Sequence, residues 1–444
     1  MKTIAAISTA AAPGGIGVIR ISGDEARVVG DRVFKSVSGA KLCDMAGYTC
    51  RFGHVYAPDG ERLDECVATV FAAPHSFTGE DVVELSCHGG LFVLKAVLQA
   101  VFAAGAVSAA PGEFTRRAFL NGKMDLAQAE AVMQIISAQG REAMKAAQAG
   151  HDGALSRRIE KLRSDLTDIG AHLAAWADYP DDDIPQVDET MLKTRLAAGK
   201  TALKDLLAGF DGGRILREGV VTVIAGRPNA GKSTLMNLLA GCERSIVTDL
   251  AGTTRDVVEE TVLLGEIPLR LADTAGIRDT EDRVEQIGVR MALDRVKTAQ
   301  FVLAVFDASE ELNDDDRALM DAIGDTPAVA VINKSDLTPK IDRAEIDKHF
   351  KEIVTVSALS GEGLPTLQNA AARALKTAEL NPNDGILYTE RQRADVQKAL
   401  TALEEAENAL LMGMTWDAVT VSLEGAIAAL NLSLIHISEP TRRS

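Results

Sequence analysis

Residues 226–233 read Gly-Arg-Pro-Asn-Ala-Gly-Lys-Ser, directly after the β-branched run Val220–Ala225 and directly before the helix-forming stretch Thr234–Ala240. A strand, a glycine-bearing loop and a helix in that order admit few folds. Glycine lets the backbone wrap closely, so that successive N–H groups point at one β-phosphate, and the helix N-terminus adds positive potential there. Lys232 is placed to bridge β- and γ-phosphate oxygens, and the Ser233 hydroxyl to ligate Mg²⁺. Asn229, Ala230, Gly231 and Thr234 complete the loop and open the helix. Around it, apolar strands alternate with helices from Gly219 to about Lys376: Val220–Ala225, Leu269–Ala272, Phe301–Phe306, Ala328–Ile332 and Ile353–Val356. That alternation predicts a doubly wound parallel sheet.

Three further segments follow at strand ends, where such sheets bind ligands. Asp273-Thr274-Ala275-Gly276 is placed to hold Mg²⁺ through water at Asp273 and to sense a γ-phosphate with the Gly276 N–H. In Asn333-Lys334-Ser335-Asp336, the Asp336 carboxylate can accept from guanine N1–H and the exocyclic amine. Adenine lacks that donor pair and would leave the carboxylate unpaired. Ser357-Ala358-Leu359 offers a backbone N–H to guanine O6. Each segment alone is a weak signal; four in order read as a GTP-hydrolysing domain.

Composition bounds the rest of the 444 residues. Asp plus Glu is 64 against 47 Lys plus Arg, a net charge of −17, so the averaged field repels phosphate and general nucleic-acid binding is excluded. A local basic patch or a basic partner remains open. Five scattered cysteines (43, 50, 66, 87 and 242) without a C-x-x-C argue for a reducing cytoplasm over a disulfide or zinc framework. Cys87 and His88 are neighbours, but adjacent strand residues face opposite ways. No apolar run reaches the ~18 residues of a membrane span, and Met1–Ala12 lacks the features of a signal peptide.

Residues 1–119 alternate short β-rich runs with two helical stretches and predict a small α+β domain. Residues 120–216 and 377–431 are rich in Ala, Leu, Gln and Glu with helical spacing, so the nucleotide domain, 217–376, is expected to be inserted into an all-α domain. Between the helices, the three carboxylates of Asp181-Asp182-Asp183 could bind a divalent ion, but an acidic interhelical loop is the favoured reading. Leu432–Ser444, LSLIHISEPTRRS, has no amphipathic period and resembles translated cloning sequence, so the natural terminus is expected to be absent.

For hydrolysis, Ras-like enzymes place a Gln after D-T-A-G to orient water. Ile277 stands there and cannot do so. Thr248-Asp249-Leu250-Ala251-Gly252-Thr253-Thr254 forms a candidate first switch, with Thr254 a second Mg²⁺ ligand and neighbouring carbonyls able to coordinate a monovalent cation with the Asn229 side chain. Glu285 is a candidate water-orienting carboxylate, with Glu281, Asp282 and Asp279 as alternatives that composition does not exclude.

These residues resemble the tRNA-modification GTPase family of the MnmE (TrmE) type. Gly14–Gly23, Ser76–Glu84 with His88-Gly89-Gly90, and Pro111–Glu130 look like the family's N-terminal motifs, and GRPNAGKS with TDLAGTTRD completes the pattern. The resemblance covers Thr3 to Asn431. It implies a Ras-like G domain inserted in the helical domain, behind an N-terminal domain that binds 5-formyl- or methylene-tetrahydrofolate and dimerises. It carries the folate contacts onto Arg20, Glu84 and Lys123. It carries K⁺ onto Asn229, Thr248, Leu250 and Thr253, Mg²⁺ onto Ser233 and Thr254, and the catalytic carboxylate onto Glu285. It further implies an aminomethyl or carboxymethylaminomethyl group installed at C5 of the wobble uridine of certain tRNAs. The implied assembly is a cytoplasmic homodimer joined in a heterotetramer with the FAD-dependent MnmG (GidA) subunit. The family's terminal C-x-G-K motif has no match here, since no cysteine follows Cys242. The chain as written is therefore expected to hydrolyse GTP but to be impaired in modification. The rival reading is a ribosome-assembly or signalling GTPase acting as a nucleotide-controlled binding module. That class usually carries an RNA-binding appendage, and no G-x-x-G loop with basic flanks follows Ala358.

Overall fold

The computed structural model describes residues 1–178, 188–241, 260–271 and 295–434. The acidic loop at Asp181–Asp183, the first-switch candidates Thr248, Asp249, Leu250, Ala251, Gly252, Thr253 and Thr254, and Asp273, Thr274, Ala275 and Gly276 lie outside them. So do Ile277, Asp279, Glu281, Asp282, Glu285 and the tail from 435. The chain divides into two compact units, Met1–Ala129 and Glu130–Ser433.

In the first unit β1 (Ile4–Ile7), β2 (Ile16–Ser22), β3 (Phe34–Ser36), β4 (Thr49–Tyr56), β5 (Arg62–Phe71), β6 (Val82–His88) and β7 (Val107–Ser108) form one sheet in the order β3-β4-β5-β6-β2-β1-β7. Neighbours are antiparallel except β1 and β7. The helices α1 (Ala26–Val33) and α2 (Leu91–Ala103) share a core with Ile19, Ile21, Val83 and Leu85. Alternation sets the register: Cys87 is buried and His88 exposed, its Nδ1 2.7 Å from Asp64. A third helix, α3 (Glu113–Leu120), begins inside what the sequence suggested was still β-rich chain. Gly112, at φ +73°, turns the chain into it, and the Glu113 carboxylate accepts from the Ala110 N–H at 2.8 Å.

The helix α4 (Leu126–Ser137) begins in the first unit and continues into the second, which holds α5 (Arg141–His151), α6 (Ala154–Asp178) and α7 (Glu189–Glu218), whose N-cap Asp188 accepts from the Thr190 and Met191 N–H groups. Then come β8 (Val220–Ala225), α8 (Lys232–Gly241), β9 (Glu260–Leu264), β10 (Ile267–Leu271), β11 (Phe301–Asp307), α9 (Asp314–Ile323), β12 (Ala328–Asn333), α10 (Arg343–Ile346), β13 (Ile353–Thr355) and α11 (Leu364–Ala374). Helices α12 (Glu390–Leu411) and α13 (Trp416–Leu434) finish it. The helix α13 runs through Leu434, so the segment that looked foreign from Leu432 begins inside a helical turn.

The strand order is β13-β12-β11-β8-β10-β9, parallel throughout except for the antiparallel edge strand β9. The doubly wound sheet expected from the sequence is therefore present. All seven residues of β11 are buried, as a strand covered on both faces requires. Burying each Val, Leu or Phe contributes about 1.5–3 kcal/mol. The all-α part is built from both sides of the sheet in sequence. Helix α12 carries a Thr389/Gln392 capping box and packs on α7, with Lys200 paired to Glu407. The C-terminal turn of α7 joins the sheet's core through Leu216.

Candidate functional site

The order of strands fixes where the site lies. Chain connections diverge on either side of β8, and ligands bind at the carboxyl ends beside such a point. The loop 226–231 leaves β8 there. Gly226 lies so close to β11 that a Cβ would stand 2.3 Å from the Val305 carbonyl oxygen. Gly231, at φ +94°, would place a Cβ 2.1 Å from Asn333 Nδ2. Both positions exclude any side chain, and that exclusion keeps the loop's backbone tight. Asn229 holds φ +62°, which turns its exposed side chain outward.

Lys232 folds back over the loop and donates to the Gly226 and Arg227 carbonyls at 2.8 and 2.7 Å. Burial pushes its ammonium below the ordinary lysine range, and the acceptors it meets among the described residues are neutral carbonyls. A phosphate would offer charged acceptors instead. Ser233 and Thr234 are exposed on the first turn of α8. The loop is braced from outside by Arg227, which pairs with Glu310 at 2.6 Å. Arg227 also lies 3.9 Å from Asp316, whose carboxyl is pushed up by burial.

The segments expected to read guanine meet the loop through one side chain. Asn333 is buried at the end of β12; its Nδ2 donates to the Ala230 carbonyl at 2.9 Å and its Oδ1 accepts the Ala358 N–H at 2.9 Å. One amide thus pins the phosphate loop to the Ser357–Leu359 segment. The buried Ser357 hydroxyl donates to Asp336 Oδ1 at 2.7 Å and orients that exposed carboxylate. Leu359 stands out in solvent. The sequence reading missed Asp307 at the end of β11, which receives Lys334 Nζ at 2.6 Å. Its only sequence signal is an acid closing a strand of six apolar residues.

In the first unit, Arg20 and Glu84 are register partners on β2 and β6, joined at 2.7 Å. The rings of Phe77 and Phe114 lie 5.7 and 5.5 Å from the Arg20 guanidinium carbon. Two aromatic faces, a carboxylate and a cation suit a flat heterocycle with ring N–H groups and an acidic tail. Lys123 reaches the neighbouring 74–79 loop, where its Nζ donates to the Pro74 carbonyl at 3.1 Å. That loop is fastened from below. Buried Arg117 pairs with Glu80 at 2.9 Å and Glu113 at 3.1 Å, and the Ser22 hydroxyl also donates to Glu80.

Among the described residues, no three His, Cys, Asp or Glu side chains gather as a metal cluster, and no helix is long and apolar enough to cross a membrane. The magnesium set is represented here by Ser233 and the potassium set by Asn229 alone.

Comparison with known proteins identifies the family. The family described as GTP-binding protein TrmE N-terminus matches residues 3–123, and the MnmE helical domain matches 126–437. The tRNA modification GTPase MnmE of Geobacillus kaustophilus is 42% identical over 430 residues, covering 96% of this chain and 93% of that protein. That of Bacillus subtilis is 41% identical, covering 95% and 93%. The G domain of the T. maritima FeoB iron transporter aligns at TM-score 0.26 and 25% identity, over 35% of this chain and 98% of that one; a score that low adds nothing to the assignment. With relatives this similar over almost its whole length, the chain belongs to the tRNA modification GTPase MnmE family and is a GTPase.

Proposed function

We propose that this chain is the GTP-hydrolysing subunit of the assembly that installs an aminomethyl or carboxymethylaminomethyl group at C5 of the wobble uridine of certain tRNAs. The observation that carries the reading is the buried Asn333 amide, which ties the phosphate loop to the Asp336 and Ser357 segments at the carboxyl ends of the strands. The relatives' description as tRNA modification GTPases supports the tRNA; the division of labour with a FAD-dependent MnmG partner is part of the proposal, and the acidic net charge of −17 suits a subunit that leaves most RNA contact to such a partner.

In this reading Lys232 turns from its loop carbonyls to β- and γ-phosphate oxygens, and Ser233 with Thr254 would hold Mg²⁺. Asn229, Thr248, Leu250 and Thr253 would hold K⁺, which when bound supplies the positive charge that an arginine supplies in other GTPases. Glu285 orients the attacking water, Asp336 reads the base edge, and paired G domains order the switch. Arg20, Glu84 and Lys123 would hold tetrahydrofolate, the source of the one-carbon unit; the Phe77 and Phe114 rings lie against Arg20. The chain works as a cytoplasmic homodimer. GTP turnover measured in KCl and in NaCl tests the cation reading: a steep rise in K⁺ is expected, and equal rates would remove it. Calorimetric titration with 5-formyltetrahydrofolate tests the first unit. Saturable binding lost in Arg20→Ala is expected, and absence of binding to the unsubstituted chain would contradict it.

A further inference from the structure

Asp307 belongs to none of the motifs above, yet the fold builds a fixed station around it. It closes β11 in register with Asn333 on β12, and it is 4% exposed. One carboxylate oxygen receives Lys334 Nζ at 2.6 Å. The other receives the Ser309 N–H at 2.9 Å and the Ser309 hydroxyl at 2.7 Å. Burial alone would raise its pKa; the Lys334 ammonium and the two Ser309 hydrogen bonds outweigh that and hold it below the usual carboxylate range. Lys334 itself sits at φ +63°, a left-handed conformation that a lysine adopts only under constraint. Its backbone is thus fixed at one end and its ammonium at the other, with the four-carbon stem between them. Asn333 on one side is locked to the phosphate loop, and Asp336 on the other is oriented by Ser357.

We propose that Asp307 is a positioning residue for guanine-nucleotide binding. It holds the Lys334 stem as a preset flat support for the base, so that the lysine's rotamer entropy is lost on folding and not on binding. The inference rests on the reading that Lys334 and Asp336 face the base. The rotamer freedom of one lysine corresponds to a factor of about ten in affinity. A stacked stem discriminates little between purines that share a shape. Loss of Asp307 therefore weakens GDP and XDP alike, whereas loss of the Asp336 charge changes their ratio.

The test is calorimetric titration of the full chain with GDP and with XDP, for Asp307→Asn, Lys334→Met, the double variant and Asp336→Asn. Asp307→Asn is expected to weaken GDP about tenfold, and the double variant to bind no more weakly than Lys334→Met. Such non-additivity is a signature that general damage to the loop does not produce. Ser309→Ala, which leaves the Lys334 contact in place, provides a milder variant should Asp307→Asn fail to fold; its smaller loss is expected to vanish in the Lys334→Met background. Unchanged GDP affinity in Asp307→Asn, or losses that multiply in the double variant, would overturn the proposal while leaving base reading intact. GDP still preferred over XDP by Asp336→Asn would overturn the base reading, and the proposal with it.

Discussion

At the scale of single residues, the phosphate loop is governed by what it leaves no room for. A Cβ at Gly231 would meet Asn333 Nδ2 at 2.1 Å, on a backbone already at φ +94°. Gly231→Ala is therefore expected to lose measurable GDP binding and, through left-handed strain and the displaced amide, at least about 1–3 kcal/mol of stability. Titration calorimetry and urea unfolding check the two halves separately. Glu285→Ala is expected to keep nucleotide affinity and lose turnover; retained turnover would move the role to Glu281, Asp282 or Asp279. Asp307 predicts a pH dependence with a definite sign. Its folded-state pKa is depressed, so its contribution is present above the ordinary carboxylate value of about 3.9 and lost as pH falls through the lower folded value. The stability gap between the unsubstituted chain and Asp307→Asn should thus be full at pH 7 and close in strong acid, as thermal melts across pH will show. The motif residues could be nominated from sequence because phosphate and guanine each accept few side-chain types at fixed spacing. Asp307 could not, since its partner lies 27 residues away and an acid ending a strand signals nothing by itself.

At the scale of elements, β8 and β10–β13 and the long helices could be read from apolar runs and helical spacing. The edge strand β9 could not. Glu-Thr-Val-Leu-Leu has no clean alternation, and its turn, Gly265-Glu266, lacks the common asparagine or aspartate before glycine. That hairpin has a role no local pattern reveals. The Glu266 carboxylate accepts the Arg141 and Glu142 N–H groups at 2.7 and 3.2 Å, and so caps the N-terminus of α5 from 125 residues away. A negative charge there satisfies orphan donors and complements the helix dipole. Glu266→Ala should cost on the order of 1 kcal/mol, read as a lower urea midpoint, with Glu266→Gln losing less. No change in midpoint would mean solvent replaces the cap without cost.

At the scale of the whole molecule, the helical part became legible through composition, because Ala-, Leu- and Glu-rich chain before and after the nucleotide domain demanded a shared core. The pairing of α7 with α12, joined by Lys200 and Glu407, supplies one, and Glu130 of α4 meets Arg391 of α12 at 3.0 Å. Composition does not convey whether two copies act together as proposed, because that depends on surfaces whose partner is another chain. The central claim is that guanine-nucleotide domains of two copies close around potassium during hydrolysis. Sedimentation velocity of the full chain with GDP and aluminium fluoride tests it most directly. A larger, paired-domain species is expected in KCl and is expected to disappear in NaCl. Identical sedimentation in both salts would contradict it.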